Sequence, residues 1–138
     1  MPGRGGWRGA SLLCALVLLG CVSDLGGEVR VHIDNQTEDP VAVYVNGGWL
    51  GTYPAGASTS APIGGHGGPP YTVVSEDPRG AVITSTQVAT DDAAAVADGA
   101  TIMETSAEVG CGYVRVVIAT RAAYDATSFT DPDPEGCP

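Results

Sequence analysis

Alternation of apolar and polar residues with a period of two is the feature that most constrains how this chain can fold. In VRVHID, residues 29–34, three aliphatic side chains alternate with an arginine, a histidine and an aspartate. Successive side chains of a β-strand point to opposite faces, so the segment predicts a strand with one buried and one polar face. On this pattern we expect His32 to be exposed to solvent.

Six further segments favour strands, and turn sequences such as NQTEDP, NGG and EDPRG separate them. Residues 89–100 are a low-complexity link with room for one helical turn, and the tail from residue 128 is expected to be irregular. About seven strands at this spacing predict a small antiparallel all-β sandwich, immunoglobulin-like or prealbumin-like. The six segments are VAVYV (41–45), WLGTY (49–53), YTVVS (71–75), AVITSTQV (81–88), TIMET (101–105) and GYVRVVIAT (112–120).

The first residues of the chain have the pattern of an export signal. Arg4 and Arg8 precede an apolar run at residues 12–19, which ends in Gly20 and Cys21. Positive, apolar and small residues in this order are typical of a secretory signal peptide. As a helix, the apolar run would reach only about half of the ~30 Å hydrocarbon core of a bilayer, so it is too short to span one.

The end of this segment, LLGC at residues 18–21, resembles the lipobox of bacterial lipoproteins. The resemblance implies that a diacylglycerol is attached to the Cys21 thiol and that the chain is cut between Gly20 and Cys21. Two or more acyl chains give durable anchoring, with about 0.8 kcal/mol per buried methylene. The resemblance therefore implies a lipid anchor to a membrane of the cell envelope, on the extracytoplasmic side. Cleavage after Ser23, which would release a soluble protein, is the alternative.

This interpretation divides the chain into three parts. Residues 1–20 are the signal peptide, residues 21–28 are the lipidated cysteine and a short tether, and residues 29–138 are a single β-sandwich domain. Because Cys14 leaves with the signal peptide, two cysteines are left besides Cys21, and in an oxidising compartment they predict a disulfide that holds the carboxyl-terminal tail. The pair is Cys111 and Cys137.

The charge of the chain argues against a nucleic-acid partner. There are six arginines, no lysine and sixteen carboxylates, and removal of residues 1–20 leaves four arginines against the same sixteen, a formal charge of −12. Such a chain is repelled by phosphate backbones. The same charge motivates an alternative function, an acidic envelope inhibitor or chaperone-like binder of a basic protein.

The segment VAVYVNGGWLGTYPAG, residues 41–56, resembles the core motif of the PEGA domain, a small β-module of bacterial surface proteins. Gly47, Gly51, Thr52 and Pro54 fit that motif, and Asn46 stands where it often has aspartate. The resemblance implies an all-β domain with a structural or binding role, and it transfers no catalytic residue.

Few residues have the type and spacing that catalysis requires, so we predict that the chain is not an enzyme. His66, in the glycine-rich loop GGHGGPP, would need a nucleophile in a Gly-x-Ser-x-Gly turn to act as in esterases, and that turn is absent from the sequence. A hydrolase that uses Ser58 or Ser60 with His66 is a remote alternative. Trp49 beside the hairpin turn either caps the core or contacts a sugar or protein. Trp49 and His66 are therefore the candidate ligand contacts.

No metal ion and no cofactor is predicted. His32, His66 and Asp34 lack the spacing of zinc ligands. The acidic pair Asp91–Asp92 and the tail DPDPEG, residues 131–136, lack the alternating oxygen ligands of a calcium loop. The sequence thus favours a lipid-anchored, extracytoplasmic module that is structural or binds a ligand, with the membrane and an envelope protein or glycan as its partners.

Overall fold

The computed structural model describes residues 25–132 and Cys137, and Gly20 and Cys21 lie outside these residues. The described residues form eight β-strands and two short helices. In chain order the elements are β1 (Val29–Gln36), β2 (Val41–Val45), β3 (Gly48–Tyr53), β4 (Ser58–Pro62), β5 (Tyr71–Glu76), β6 (Val82–Val88), α1 (Thr90–Ala97), β7 (Met103–Val109), β8 (Gly112–Thr120) and α2 (Arg121–Asp125).

The strands form two four-stranded antiparallel sheets. The first sheet has the order β4-β1-β8-β7 and the second has the order β3-β2-β5-β6. The predicted small all-β sandwich is therefore confirmed. The sequence pattern does not predict one of the strands, β4, which pairs with β1 so that Ser60 lies opposite His32.

A compact aliphatic core lies between the sheets. On β1 and β2 the alternation predicts this core correctly, since Val31 and Val43 are completely buried. At one side of the sandwich the two sheets meet through edge strands, where Thr86 on β6 and Thr105 on β7 share a hydrogen bond of 2.7 Å. The fully buried side chains are Ile33, Ile118, Val31, Val41, Val43, Val45, Val73, Val88, Val96, Val114, Val116 and Val117.

Helix α1 closes one end of the sandwich, which we call the amino-terminal end because β1 begins there. The helix has two turns rather than the single turn expected, and its Val96 side chain is completely buried in the core. The chain enters the domain at the same end. The amide of Gly27 donates to the carbonyl of Ala97 at 2.9 Å, and the Thr120 hydroxyl donates to the carbonyl of Leu25.

The outer face of the first sheet is covered by helix α2 and the tail that follows it. The Tyr124 ring stacks on His32 with centroids 4.0 Å apart, and Phe129 packs against Tyr124. His32 is only 4% exposed, so the prediction that it faces solvent is wrong. Residues 127–132 of the tail are irregular, as expected, and the predicted disulfide at the far end of the sandwich is confirmed. Cys111 and Cys137 are bonded, with 5.5 Å between their Cα atoms.

Candidate functional site

The outer face of the second sheet differs from that of the first because its side chains are exposed or half-buried. We call it the open face. Both exposed large hydrophobic side chains of the described residues, Trp49 and Val82, lie on it, and each is 61% exposed. Both helices make their main contacts with β8, in the other sheet. The open face consists of Ala42, Tyr44, Trp49, Thr52, Thr72, Val74, Glu76, Val82, Ser85 and Gln87.

Two aromatic side chains lie next to each other on the open face. Trp49 on β3 is directly opposite Tyr44 on β2, and such cross-strand pairs have Cβ atoms roughly 5 Å apart. The Trp49 indole Nε1–H donates to the hydroxyl of Thr52 at 3.0 Å, so the polar edge of the ring is satisfied within the strand. This bond fixes the indole along β3 and leaves a large part of its surface open to a ligand.

The aromatic pair continues into a row that crosses the whole sheet. Tyr44 pairs with Val74 on β5, and Val74 pairs with Ser85 on β6. Because neighbouring strands are about 4.8 Å apart, the row from Trp49 to Ser85 spans roughly 14 Å. A ligand that lies across the strands can therefore contact several side chains at once.

A shallow depression of about 290 Å³ adjoins this row at the far end of the sheet. Its floor is Ala42, a small residue between Tyr44 and Glu76, and Thr52 lines its other side. Asp77 also lines it, and amides of its own turn, at Ala81 and Arg79, donate to its carboxylate at 2.9 and 2.8 Å. The bond from Ala81 contributes most to lowering the pKa of Asp77.

The second candidate contact, His66, lies at the amino-terminal end rather than on the open face. Its carbonyl accepts a hydrogen bond of 3.1 Å from the Asn46 side chain. Its imidazole lies beside Gly48, where a Cβ atom would be 3.2 Å from His66 Nδ1. Gly48 precedes Trp49 on β3, and successive strand residues face opposite ways, so this contact does not bring His66 to the Trp49 face.

The serines considered with His66 lie instead beside His32. A cleft of about 270 Å³ is lined by His32, Ser58 and Ser60 together with Arg121, Tyr124 and Asp125 of α2. The hydroxyl of Ser60 accepts from Arg30 Nε at 2.9 Å. Among the described residues, no hydrogen bond joins either histidine to Ser58 or Ser60, so the paired nucleophile and base that a serine hydrolase needs are not formed there.

His32 is held in a neutral form by its surroundings. Burial lowers its pKa below the ordinary value of 6.5, and the charges of Arg30 and Arg121 lower it further, against a bond to the Ala119 carbonyl and the charge of Asp125. The contact from His32 Nε2 to the Ala119 oxygen is 3.2 Å. Sequence reasoning missed this cleft because helix α2 gave no amphipathic signal that could place Tyr124 over the sheet.

Within residues 25–132 and Cys137, no three His, Cys, Asp or Glu side chains gather closely enough to hold a metal ion. None of the helices in this part of the chain is long and apolar enough to cross a membrane. No protein-family model, curated protein or solved structure matches the chain. The open face is therefore the candidate site on its geometry alone.

Proposed function

We propose that the chain is a lipid-anchored module of the bacterial cell envelope that binds a ligand outside the cytoplasm through the open face. The observation that carries the binding role is the exposure of Trp49. A tryptophan that is 61% exposed yet fixed by a hydrogen bond to Thr52 adds nothing to the core, whereas fixed aromatic side chains are favoured contacts in binding surfaces.

The anchor is supported by the LLGC segment at residues 18–21 and by where the domain begins. Leu25 and Gly27 already contact the sandwich, through Thr120 and Ala97. Only residues 22–24 separate Cys21 from Leu25, and four residue spacings reach at most about 14 Å. A lipidated Cys21 would therefore hold the amino-terminal end of the sandwich close to the lipid surface.

The open face suits such an attachment. β1 runs away from the amino-terminal end, and all neighbouring strands in both sheets are antiparallel. With the domain held at that end, the strands extend between the membrane side and the far end. The depression at Ala42 lies towards the far end, away from the anchor, and Trp49, next to Gly48, lies nearer the amino-terminal end.

The anchor is tested by changing its cysteine. In the native host, we expect Cys21→Ser to shift the protein from the membrane fraction to the soluble fraction, or to accumulate as a precursor that retains residues 1–20. Intact-mass analysis distinguishes these outcomes. Cys14→Ser is the matched control and should leave both mass and fractionation unchanged. If Cys21→Ser stays in the membrane with the same mass as the parent chain, the lipid anchor is wrong.

A further inference from the structure

The open face has a composition that selects among ligand classes. Nine of its ten side chains carry no charge, although the chain as a whole has a formal charge of −10. Its one ionisable acid is Glu76, a half-buried residue at the edge of the depression. With Glu76 as its sole charged side chain and Asp77 at the depression, the open face offers little electrostatic attraction to a basic protein, and the two carboxylates disfavour an anionic ligand.

The polar groups of the face are hydroxyls and an amide around the aromatic pair. Thr52, Thr72, Ser85 and Gln87 surround the row that runs from Trp49 to Ser85. These groups both donate and accept hydrogen bonds, and Glu76 adds an acceptor. They complement a ligand that is rich in hydroxyl groups, while the faces of the Trp49 and Tyr44 rings offer flat apolar surfaces for C–H groups.

A protein partner fits this face less well. Stable protein interfaces bury about 800 Å² on each side and have an apolar centre. The large apolar side chains next to Tyr44 are Trp49 and Val74 alone, and the rest of the open face around them is mostly small or polar. The flat row of roughly 14 Å instead matches an extended chain of rings that lies across the strands.

We infer that the open face binds an uncharged glycan, with sugar rings stacked on Trp49 and Tyr44 and a hydroxyl of a neighbouring unit bonded to Glu76 in the depression. This inference rests on the proposed binding role of the open face and names its ligand class. It does not depend on the lipid anchor, which the Cys21→Ser experiment tests separately.

The tryptophan content of the chain gives a direct measurement. After residue 20, Trp49 is the sole tryptophan. The protein without residues 1–20 is titrated with soluble oligosaccharides of three uncharged glycans, cellulose, chitin and mannan, and the tryptophan emission is recorded. We expect at least one of these glycans to shift or quench the emission saturably, and the insoluble polymer of the same sugar to deplete the protein from solution.

Variants then test the assigned contacts. Trp49→Ala and Tyr44→Ala should each weaken depletion by the same polymer at least about tenfold, the loss expected for an aromatic hot spot. Glu76→Gln, which removes the charge but keeps a carbonyl acceptor, should retain most of the binding. Glu108→Gln is the matched control, because Glu108 is an exposed carboxylate on β7, in the first sheet and away from the open face. Circular dichroism melting verifies that each variant is folded.

Two results would overturn the inference. One is that none of the three glycans changes the emission or depletes the parent protein. The other is that a glycan binds the parent and the Trp49→Ala variant equally, which would assign the sugar to another surface. If, in contrast, Cys21→Ser abolishes membrane attachment but glycan binding fails, the anchor stands and the ligand class alone is wrong.

Discussion

The most severe test of the folded arrangement is removal of the buried guanidinium of Arg115. The side chain is 4% exposed and joins the first sheet to the tail that covers it. It lies 3.5 Å from Asp34 and 3.1 Å from Glu104, and it donates to the Thr130 carbonyl at 2.7 Å and to Asp131 at 3.3 Å. Arg115→Met keeps much of the side-chain volume but removes every one of these bonds.

The expected cost follows from how buried each partner is. Breaking a buried ion pair by removing one partner costs ~3–5 kcal/mol. The carboxylates of Glu104 and Asp131 are 39% and 71% exposed, so water screens their share, whereas that of Asp34 is only 15% exposed. After this discount we expect Arg115→Met to lower the free energy of unfolding by about 2–4 kcal/mol.

The measurement is urea or thermal unfolding followed by circular dichroism. For a domain of this size the loss corresponds to roughly 10–20 °C in melting temperature. Arg79→Met is the matched control. Arg79 also has a carboxylate partner, Asp77 at 3.1 Å, but its side chain is 88% exposed, so its loss should cost no more than about 0.5 kcal/mol. If Arg115→Met and Arg79→Met destabilise equally, the assigned role of the buried charge is refuted.

Three further substitutions test the covered face and the two ends of the sandwich. Burial lowers the pKa of His32 below 6.5, so the unfolded chain binds the proton first, and stability present above pH 6.5 is lost as the pH falls below that value. We therefore expect the urea midpoint of His32→Phe to fall less between pH 7 and about pH 5 than that of the parent. Parallel curves for the two proteins would contradict the burial of His32 under Tyr124. Cys137→Ser opens a loop whose ends are 26 positions apart, and it should lower the free energy of unfolding by about 3–4 kcal/mol in non-reducing urea titrations. Equal midpoints for the parent and the variant would mean that the disulfide contributes nothing to stability. Gly112→Ala would press a Cβ atom against the Gln36 carbonyl oxygen, so a loss of roughly 1–3 kcal/mol is expected in the same assay. An unchanged midpoint would refute this close backbone approach.

The sequence predicted seven strands because their apolar residues alternate and one face of each is buried. The strand β4, with the sequence STSAP, has no such alternation, because four of its five residues are small or polar and none of them is fully buried. Its position comes from pairing with β1, between Ser60 and His32. A pattern confined to the segment itself cannot report a pairing with residues about thirty positions away.

The environment of His32 could not be predicted for a related reason. Period-two alternation assigns His32 correctly to the face opposite Val31 and Ile33, but it does not predict whether that face is exposed to solvent or covered by another part of the chain. The cover depends on Tyr124, which is 92 positions later in the chain, and on a tail that the Cys111–Cys137 bond holds back against the sheet. For Trp49 the sequence left two alternatives, a cap on the core or a contact with a ligand, and the structure shows that the side chain is exposed.

The free energy of apolar burial alone predicts that the second sheet has the covered outer face and the first sheet the exposed one, and the structure shows the reverse. The face that carries Arg115, Asp34 and His32 is covered, and these ionisable groups need several bonds within the domain to offset their lost hydration. The face that carries Trp49 and Val82 is bare, although covering it would remove apolar area from water at about 25 cal/mol per Å². If stability were the only constraint on the tail, the second face would be the better one to cover. Helix α2 and the tail follow directly from β8, an interior strand of the first sheet, so chain connectivity places them on the first face and leaves the aromatic pair exposed for the ligand that we propose.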